Sequence, residues 1–229
     1  MIKPTITDVF FDLDHTLWDF DRNSALAMER VFQTFTVSVP LEAFLKIYEP
    51  INFDYWKSFR EELVTKQELR RGRLIDSFNV FNIQYDMDTI DAMSDAYIDE
   101  LPNNNYLFDG TFELLLYLKE KYTLHIITNG FTEVQHIKLK KSKLAPFFKT
   151  VTSSEEVGVK KPNPLVFLKA LEKANVSSQN TIMIGDTFEA DILGGEGVGM
   201  DTIFFNYREE IPKGGYKVVD HLLEIKDFL

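Results

Sequence analysis

Short apolar runs alternate with stretches of helical period along most of the chain. Thr7–Asp12 (TDVFFD) is an apolar run closed by an acid and reads as a buried strand. Leu124–Thr128, Thr150–Ser153, Thr181–Gly185 and Thr202–Phe205 read in the same way. Among them lie helix-length segments at Phe112–Lys121, Thr132–Ser142, Pro164–Ala174 and Phe188–Gly197. Pro164–Ala174 is the best marked. Asn163 can cap it, Pro164 suits a first helical position, and Val166, Phe167, Ala170, Leu171 and Ala174 fall on one face. Strands alternating with helices at this spacing predict an α/β fold built on a Rossmann-like, doubly wound parallel sheet.

Residues 18–105 break the alternation. The pattern there predicts helices at Asn23–Phe35, Leu41–Tyr48, Phe53–Leu63, Lys66–Phe81 and Asp88–Leu101, with Thr65 and Glu68 as a capping box. Pro102-Asn103-Asn104-Asn105 reads as a linker back to the sheet. The expected organisation is therefore a core of residues 1–17 and 106–229 carrying a helical insert, 18–105. An insert after the first strand suits a lid over the carboxyl end of the sheet, where open α/β folds bind ligands.

Composition narrows the chemistry. The 229 residues include no cysteine, which excludes disulfides, thiolate metal sites and a cysteine nucleophile, and the four scattered histidines argue against an all-histidine zinc site. A net charge of −11 disfavours a nonspecific grip on nucleic acid or an anionic membrane, so an anionic small substrate needs local positive charge. No apolar run approaches the roughly 18–20 residues of a spanning helix. Met1-Ile2-Lys3-Pro4 leads into the first strand without a signal-peptide plan, and the expected location is the cytoplasm.

Acids gather where strands end. In extended geometry Asp12 and Asp14 point to one side, and two carboxylates leaving an apolar strand need a cation, a shared proton or solvent. Alone, the pair reads equally well as strand-end acids capping the next turn. Gly185-Asp186-Thr187-Phe188-Glu189-Ala190-Asp191 repeats the theme after another apolar strand. Thr187 can cap the following helix and Asp191 suits its first turn, whereas Asp186 has no such local role. Three acids at two parallel strand ends make an oxygen-rich pocket of the kind Mg²⁺ takes. Thr128-Asn129-Gly130 offers a hydroxyl and two backbone N–H groups to phosphate oxygens, or is an ordinary strand-to-helix turn. Lys160-Lys161-Pro162 is a solvated pair or an anion binder, with Lys161 kept extended by the proline.

Taken together, these four places resemble the motifs of the haloacid dehalogenase superfamily. Asp-x-Asp-x-Thr is Asp12, Asp14 and Thr16; the strand-ending hydroxyl is Thr128; the lysine is Lys161, with Lys160 as its rival; Gly-Asp-x-x-x-x-Asp is Gly185, Asp186 and Asp191. The helical insert resembles the superfamily's helix-bundle (C1-type) cap. The resemblance implies a sheet with the strands of Asp186 and Thr128 on either side of Asp12's. It further implies a Mg²⁺-dependent phosphatase in which Asp12 is the nucleophile and Asp14 the general acid and base. The Mg²⁺ ligands would be Asp12, Asp14 through its carbonyl, and Asp186, while Thr128, Asn129, Gly130 and Lys161 would hold the phosphate. Asp191 would orient Lys161 or a metal-bound water. An alkoxide needs a proton to leave and a halide does not, so Asp14 favours phosphate transfer over dehalogenation.

The cap and the Thr128-Asn129-Gly130-Phe131 turn are similar to the bacterial pyrimidine 5′-nucleotidase branch, which implies a nucleoside 5′-monophosphate as substrate. Phe20, Trp56 or Phe131 would then stack a base, and Arg73 or Asn52 would bind its edge or the sugar; aromatic stripes such as Asn52, Trp56, Phe59, Arg60 and Leu63 also commonly form cap core. A sugar-phosphate or phosphoglycolate phosphatase, a phosphomutase, a 2-haloacid dehalogenase and a non-catalytic phospholigand sensor stay open as alternatives.

Overall fold

The computed structural model describes residues 5–209 and 215–229, so Met1–Pro4 and the reading made of them lie outside the described residues. In chain order the strands are β1 (Asp8–Phe11), β2 (Thr123–Thr128), β3 (Phe148–Ser153), β4 (Thr181–Gly185), β5 (Asp201–Phe205) and β6 (Val218–Val219). The α-helices are α1 (Phe20–Thr34), α2 (Leu41–Arg60), α3 (Lys66–Val80), α4 (Met87–Glu100), α5 (Thr111–Leu118), α6 (Thr132–Lys141), α7 (Ser154–Val157), α8 (Pro164–Ala174) and α9 (Gly194–Gly197). By contact the chain divides into two compact units: Asp21–Asn104, and the remainder up to Phe20 and from Asn105 onward.

The second of these is the sheet unit. Its strand order is β3-β2-β1-β4-β5-β6, with every pairing parallel. β1 is central and buried along its whole length, which is why its sequence is an unbroken apolar run rather than an alternating one. Phe11 is in register with Ile126 of β2 and Ile184 of β4, so the carboxyl ends of the three strands lie side by side. The order reverses at β1, the topological position where such sheets leave a crevice. On one face α8 packs Val166, Phe167, Ala170 and Leu171 against Phe10, Ile127 and Met183. Its ends follow from sequence: Asn163 Oδ1 accepts from Leu165 N at 3.0 Å, and Asn175 closes the helix in the left-handed region at φ 58°.

The Phe188–Gly197 segment departs from the expected single α-helix. It opens as a π-helix, Phe188–Leu193, before α9, and Thr187 makes no side-chain cap. Instead the backbone N–H of Thr187 donates to Asp191 Oδ2 at 3.0 Å, so the acid, and not the threonine, satisfies the helix start. β6 was not expected, because two residues are too few to show a period.

The helical unit is held by aromatic packing: Phe44 lies 4.8 Å from Phe32 and from Phe78, and 5.6 Å from Tyr48, between ring centroids. Two expected helices, Leu41–Tyr48 and Phe53–Leu63, are one, since α2 runs through Pro50. Proline removes one backbone donor, and burial of Phe44, Tyr48 and Phe59 on a single helix outweighs that loss. Leu63 falls beyond α2 and is exposed. The capping box is present, with Glu68 N donating to Thr65 Oγ1 (3.2 Å) and Thr65 N to Glu68 Oε2 (2.7 Å). The expected linker begins as a 3₁₀ turn, Leu101–Asn103, with Leu101 and Pro102 buried. Among the described residues no helix is long and apolar enough to cross a membrane.

Candidate active site

The ladder of β1 extends one residue past the strand, since Asp12 N donates to Ile184 O at 2.9 Å, and this fixes the Asp12 carboxylate at the end of the central strand. Lys161 meets it there. Its Nζ donates to Asp12 Oδ1 (2.6 Å), Asp191 Oδ1 (2.6 Å) and Ile127 O (2.9 Å), which uses all three ammonium protons. Lys161 is itself held by Asn129, whose Oδ1 accepts from Lys161 N (2.9 Å) and whose Nδ2 donates to Lys161 O (3.1 Å). The Asn129 side chain therefore positions the lysine, a role its place in the turn did not suggest. The Lys161–Pro162 peptide is cis.

One carboxylate oxygen from each of Asp12, Asp186 and Asp191 lies within 4.8 Å of the others. Burial pushes Asp12 up to about 7 against the pull of Lys161, with the charges of Asp191 and Asp14 adding to the rise. Asp186 is raised well above the usual carboxylate range by burial and by the negative charges of Asp12 and Asp191, only partly offset by Arg208 and Lys161. Burial alone would lower the Lys161 ammonium, but Asp12 and Asp191 outweigh it and raise it. Asp12 and Asp191 share the single Lys161 ammonium, so the cluster of three acids is short of positive charge. A hard divalent cation with oxygen ligands fits that donor set. Gly185 is required for this packing: a Cβ there would lie 2.3 Å from the Asp191 carboxyl carbon.

Asp14 is bound through both oxygens. Lys138 Nζ donates to Oδ1 at 2.6 Å and Gln135 Nε2 to Oδ2 at 2.9 Å. Lys138 is 2% exposed, with its ammonium 4.0 Å from the Trp18 ring centroid and 5.1 Å from that of Phe20. Thr128, buried at the end of β2, accepts from Gly130 N (3.1 Å) and Gln135 Nε2 (2.7 Å). Thr16 Oγ1 donates to Asp186 Oδ1 at 3.3 Å, and His15 takes the left-handed region at φ 64° with Nδ1 2.6 Å from the Tyr207 hydroxyl. Asp12, Asp14, Thr128, Lys161, Asp186 and Asp191 thus gather at the carboxyl end of the sheet. Lys138, Gln135 and Tyr207 were not singled out from the sequence; for Gln135 and Lys138 the available signal was their three-residue spacing one turn into the helix that follows Thr128.

Trp56 and Arg73 belong to the helical unit. Trp56 is half-buried and packs edge-on against Phe59 at 5.7 Å. Arg73 is buried, with Nη1 on Asn52 Oδ1 at 3.0 Å, its guanidinium 4.8 Å from the Tyr97 ring and 6.0 Å from the Tyr48 ring, and Nε without a hydrogen-bond partner.

Comparison with known proteins decides the family, because a model of the haloacid dehalogenase-like hydrolases matches residues 9–205. The chain belongs to that family. The hydrolase is 33% identical to the pyrimidine 5′-nucleotidase YjjG of Escherichia coli (strain K12) over 208 residues, 90% of this chain and 89% of that protein. It is 34% identical to the pyrimidine 5′-nucleotidase PynA of Streptococcus pneumoniae (strain ATCC BAA-255 / R6) over 200 residues, 86% and 83% of the two chains. Among solved structures, that of the HAD-hydrolase YfnB from Bacillus subtilis bound to magnesium superposes with a TM-score of 0.88 at 29% identity, covering 98% of each chain. The expected strand order, with β2 and β4 flanking β1, is the one observed for the hydrolase.

Proposed function

We propose that the chain is a Mg²⁺-dependent phosphomonoesterase acting through an aspartyl-phosphate on Asp12, with a pyrimidine nucleoside 5′-monophosphate as substrate. The observation that carries this reading is the Lys161 ammonium fixed 2.6 Å from both Asp12 and Asp191, beside the underneutralised Asp186. Asp12 Oδ attacks phosphorus while the ester oxygen departs with a proton from Asp14, which leaves an acyl phosphate and a free nucleoside. Asp14, now a carboxylate, takes a proton from water as that water attacks the same phosphorus; inorganic phosphate leaves and Asp12 is regenerated. Asp12, the Asp14 carbonyl and Asp186 would hold the Mg²⁺, which when bound supplies positive charge against phosphate–carboxylate repulsion. Lys161 and the Thr128 hydroxyl, with the N–H groups of Asn129 and Gly130, hold the equatorial oxygens, where charge accumulates. Asp191 keeps Lys161 in place.

The presence of Asp14 favours phosphate esters over carbon–halogen bonds, because only the former leaving group needs a proton. The names of the YjjG and PynA relatives support the pyrimidine nucleotide. Phosphate release from nucleoside monophosphates, sugar phosphates and phosphoglycolate, with Mg²⁺ and with EDTA, tests the reading. Mg²⁺-dependent turnover, best on pyrimidine nucleotides and absent in Asp12→Asn, is expected. Best turnover on a sugar phosphate would remove the nucleotide assignment, and a fully active Asp12→Asn would remove the covalent mechanism.

A further inference from the structure

We propose that Lys138 and Gln135 are positioning residues that hold Asp14 and Thr128 in one fixed relation, so that proton transfer to the leaving group and binding of the phosphate are aligned by a single helix face. The inference rests on the phosphatase reading above and adds two residues to it. The two side chains are three positions apart on α6 and therefore project together. Lys138 is buried, and its carboxylate partner is Asp14; a desolvated ammonium is tolerated only with such a partner, so the pair is held tightly. The Trp18 face at 4.0 Å confines the ammonium from a second direction.

Gln135 completes the device. Its Nε2 is shared between Asp14 Oδ2 at 2.9 Å and Thr128 Oγ1 at 2.7 Å, and the carboxylate fixes which end of the amide faces them. With both Asp14 oxygens engaged, its carboxyl plane cannot turn. Thr128 Oγ1 accepts from Gln135 and from Gly130 N, which fills its two lone pairs and leaves its O–H free to donate only to a further acceptor. A phosphate oxygen is that acceptor. Gln135 approaches so closely that a Cβ at residue 130 would stand 2.0 Å from its Nε2, so Gly130 serves this contact. Gln135 Oε1 is buried without a partner, which leaves the amide no competing anchor of its own.

The test uses the full chain with Mg²⁺ and two esters, a nucleoside 5′-monophosphate and p-nitrophenyl phosphate, whose leaving group departs as a stable anion without a proton. Single-turnover cleavage is followed for the wild type, Lys138→Met, Lys138→Arg and Gln135→Leu. Positioning through Asp14 predicts that Lys138→Met slows cleavage of the nucleotide by about 100-fold, the scale of general acid catalysis, and of the nitrophenyl ester by less than about threefold. Lys138→Arg recovers a large part of the nucleotide rate, and Gln135→Leu repeats the split while also raising KM for both esters through Thr128. Equal losses on the two esters, or a rise in KM with unchanged kcat in Lys138→Met, would overturn the proposal. If Lys138→Met does not fold, Gln135→Leu decides alone by the same split. A wild type that cleaves neither ester refutes the phosphatase reading itself, whereas equal losses from an active wild type refute only this inference.

Discussion

Replacing Arg73 by methionine tests whether a buried arginine stabilises the helical unit. Methionine has similar reach and no charge. The change removes the Nη1–Asn52 bond, about 1.5–3 kcal/mol for a charged donor, and a cation–π contact with Tyr97 of about 1–2 kcal/mol; Tyr48, at 6.0 Å, adds little. It also removes a guanidinium that is 2% exposed and has no carboxylate partner among the described residues, whose desolvation opposes folding by several kcal/mol, and an Nε donor buried without an acceptor among them, about 1–3 kcal/mol more. The balance favours methionine by about 1–3 kcal/mol, in line with the gains seen when buried charges give way to apolar groups. In a chain of 229 residues that is a rise in Tm of about 2–10 °C by calorimetry. A variant that loses more than about 1 kcal/mol of stability would refute the reasoning.

Mg²⁺ at about 100 times its Kd should stabilise the wild type by about 2.7 kcal/mol, or about 5–10 °C in Tm, and leave Asp186→Asn unmoved; equal shifts in both would place the ion elsewhere. Gly185→Ala forces a contact of 2.3 Å with Asp191 and should cost about 1–3 kcal/mol in urea denaturation, with Lys161 displaced and activity lost; an unchanged midpoint would mean that Asp191 does not pack there. His125 is lowered by burial, against the raising effect of Asp8, whose Oδ1 is 2.9 Å from Nε2. The unfolded chain therefore binds more protons there, so this contribution is full above about pH 6.5 and is lost as pH falls toward the folded value. Asp12, raised when folded, contributes with the opposite slope, so the difference between the wild type and His125→Leu isolates the histidine. A difference independent of pH from 7 to 5 would exclude the effect.

Much of the sheet was legible because its strands are buried on both faces. TDVFFD and TIMIG need no alternation to be read, and the acids closing them stand out against apolar neighbours. What was missed depends on tertiary contact. Lys138 sits in VQHIKLKK, a lysine-rich run that reads as a solvated face, and only the side chains of Asp14 and Trp18, more than a hundred residues away in sequence, distinguish it from Lys140 and Lys141. The helices expected at Leu41–Tyr48 and Phe53–Leu63 leave a gap around Pro50, whereas aromatic packing on both sides of it keeps α2 whole. Asn129 lies in a turn where backbone donors were the obvious asset; its amide is used on Lys161, 32 positions later.

The position of β1 also sets the order in which the molecule is built during synthesis. Asp8 pairs with Thr123 on one side and Thr181 on the other, and the whole helical unit, Asp21–Asn104, is translated before either partner exists. Helices rich in local contacts form quickly, while parallel pairings across such separations wait for their partners. At about 5–20 residues per second, Asp12 leaves the ribosome on the order of ten seconds or more before Asp186 and Asp191. The strand ending in Asp12 is therefore made before the helical unit, yet it gains its second neighbour only when β4 arrives. Until then an apolar strand has both edges or one edge bare, and this segment of the nascent chain is open to wrong pairing.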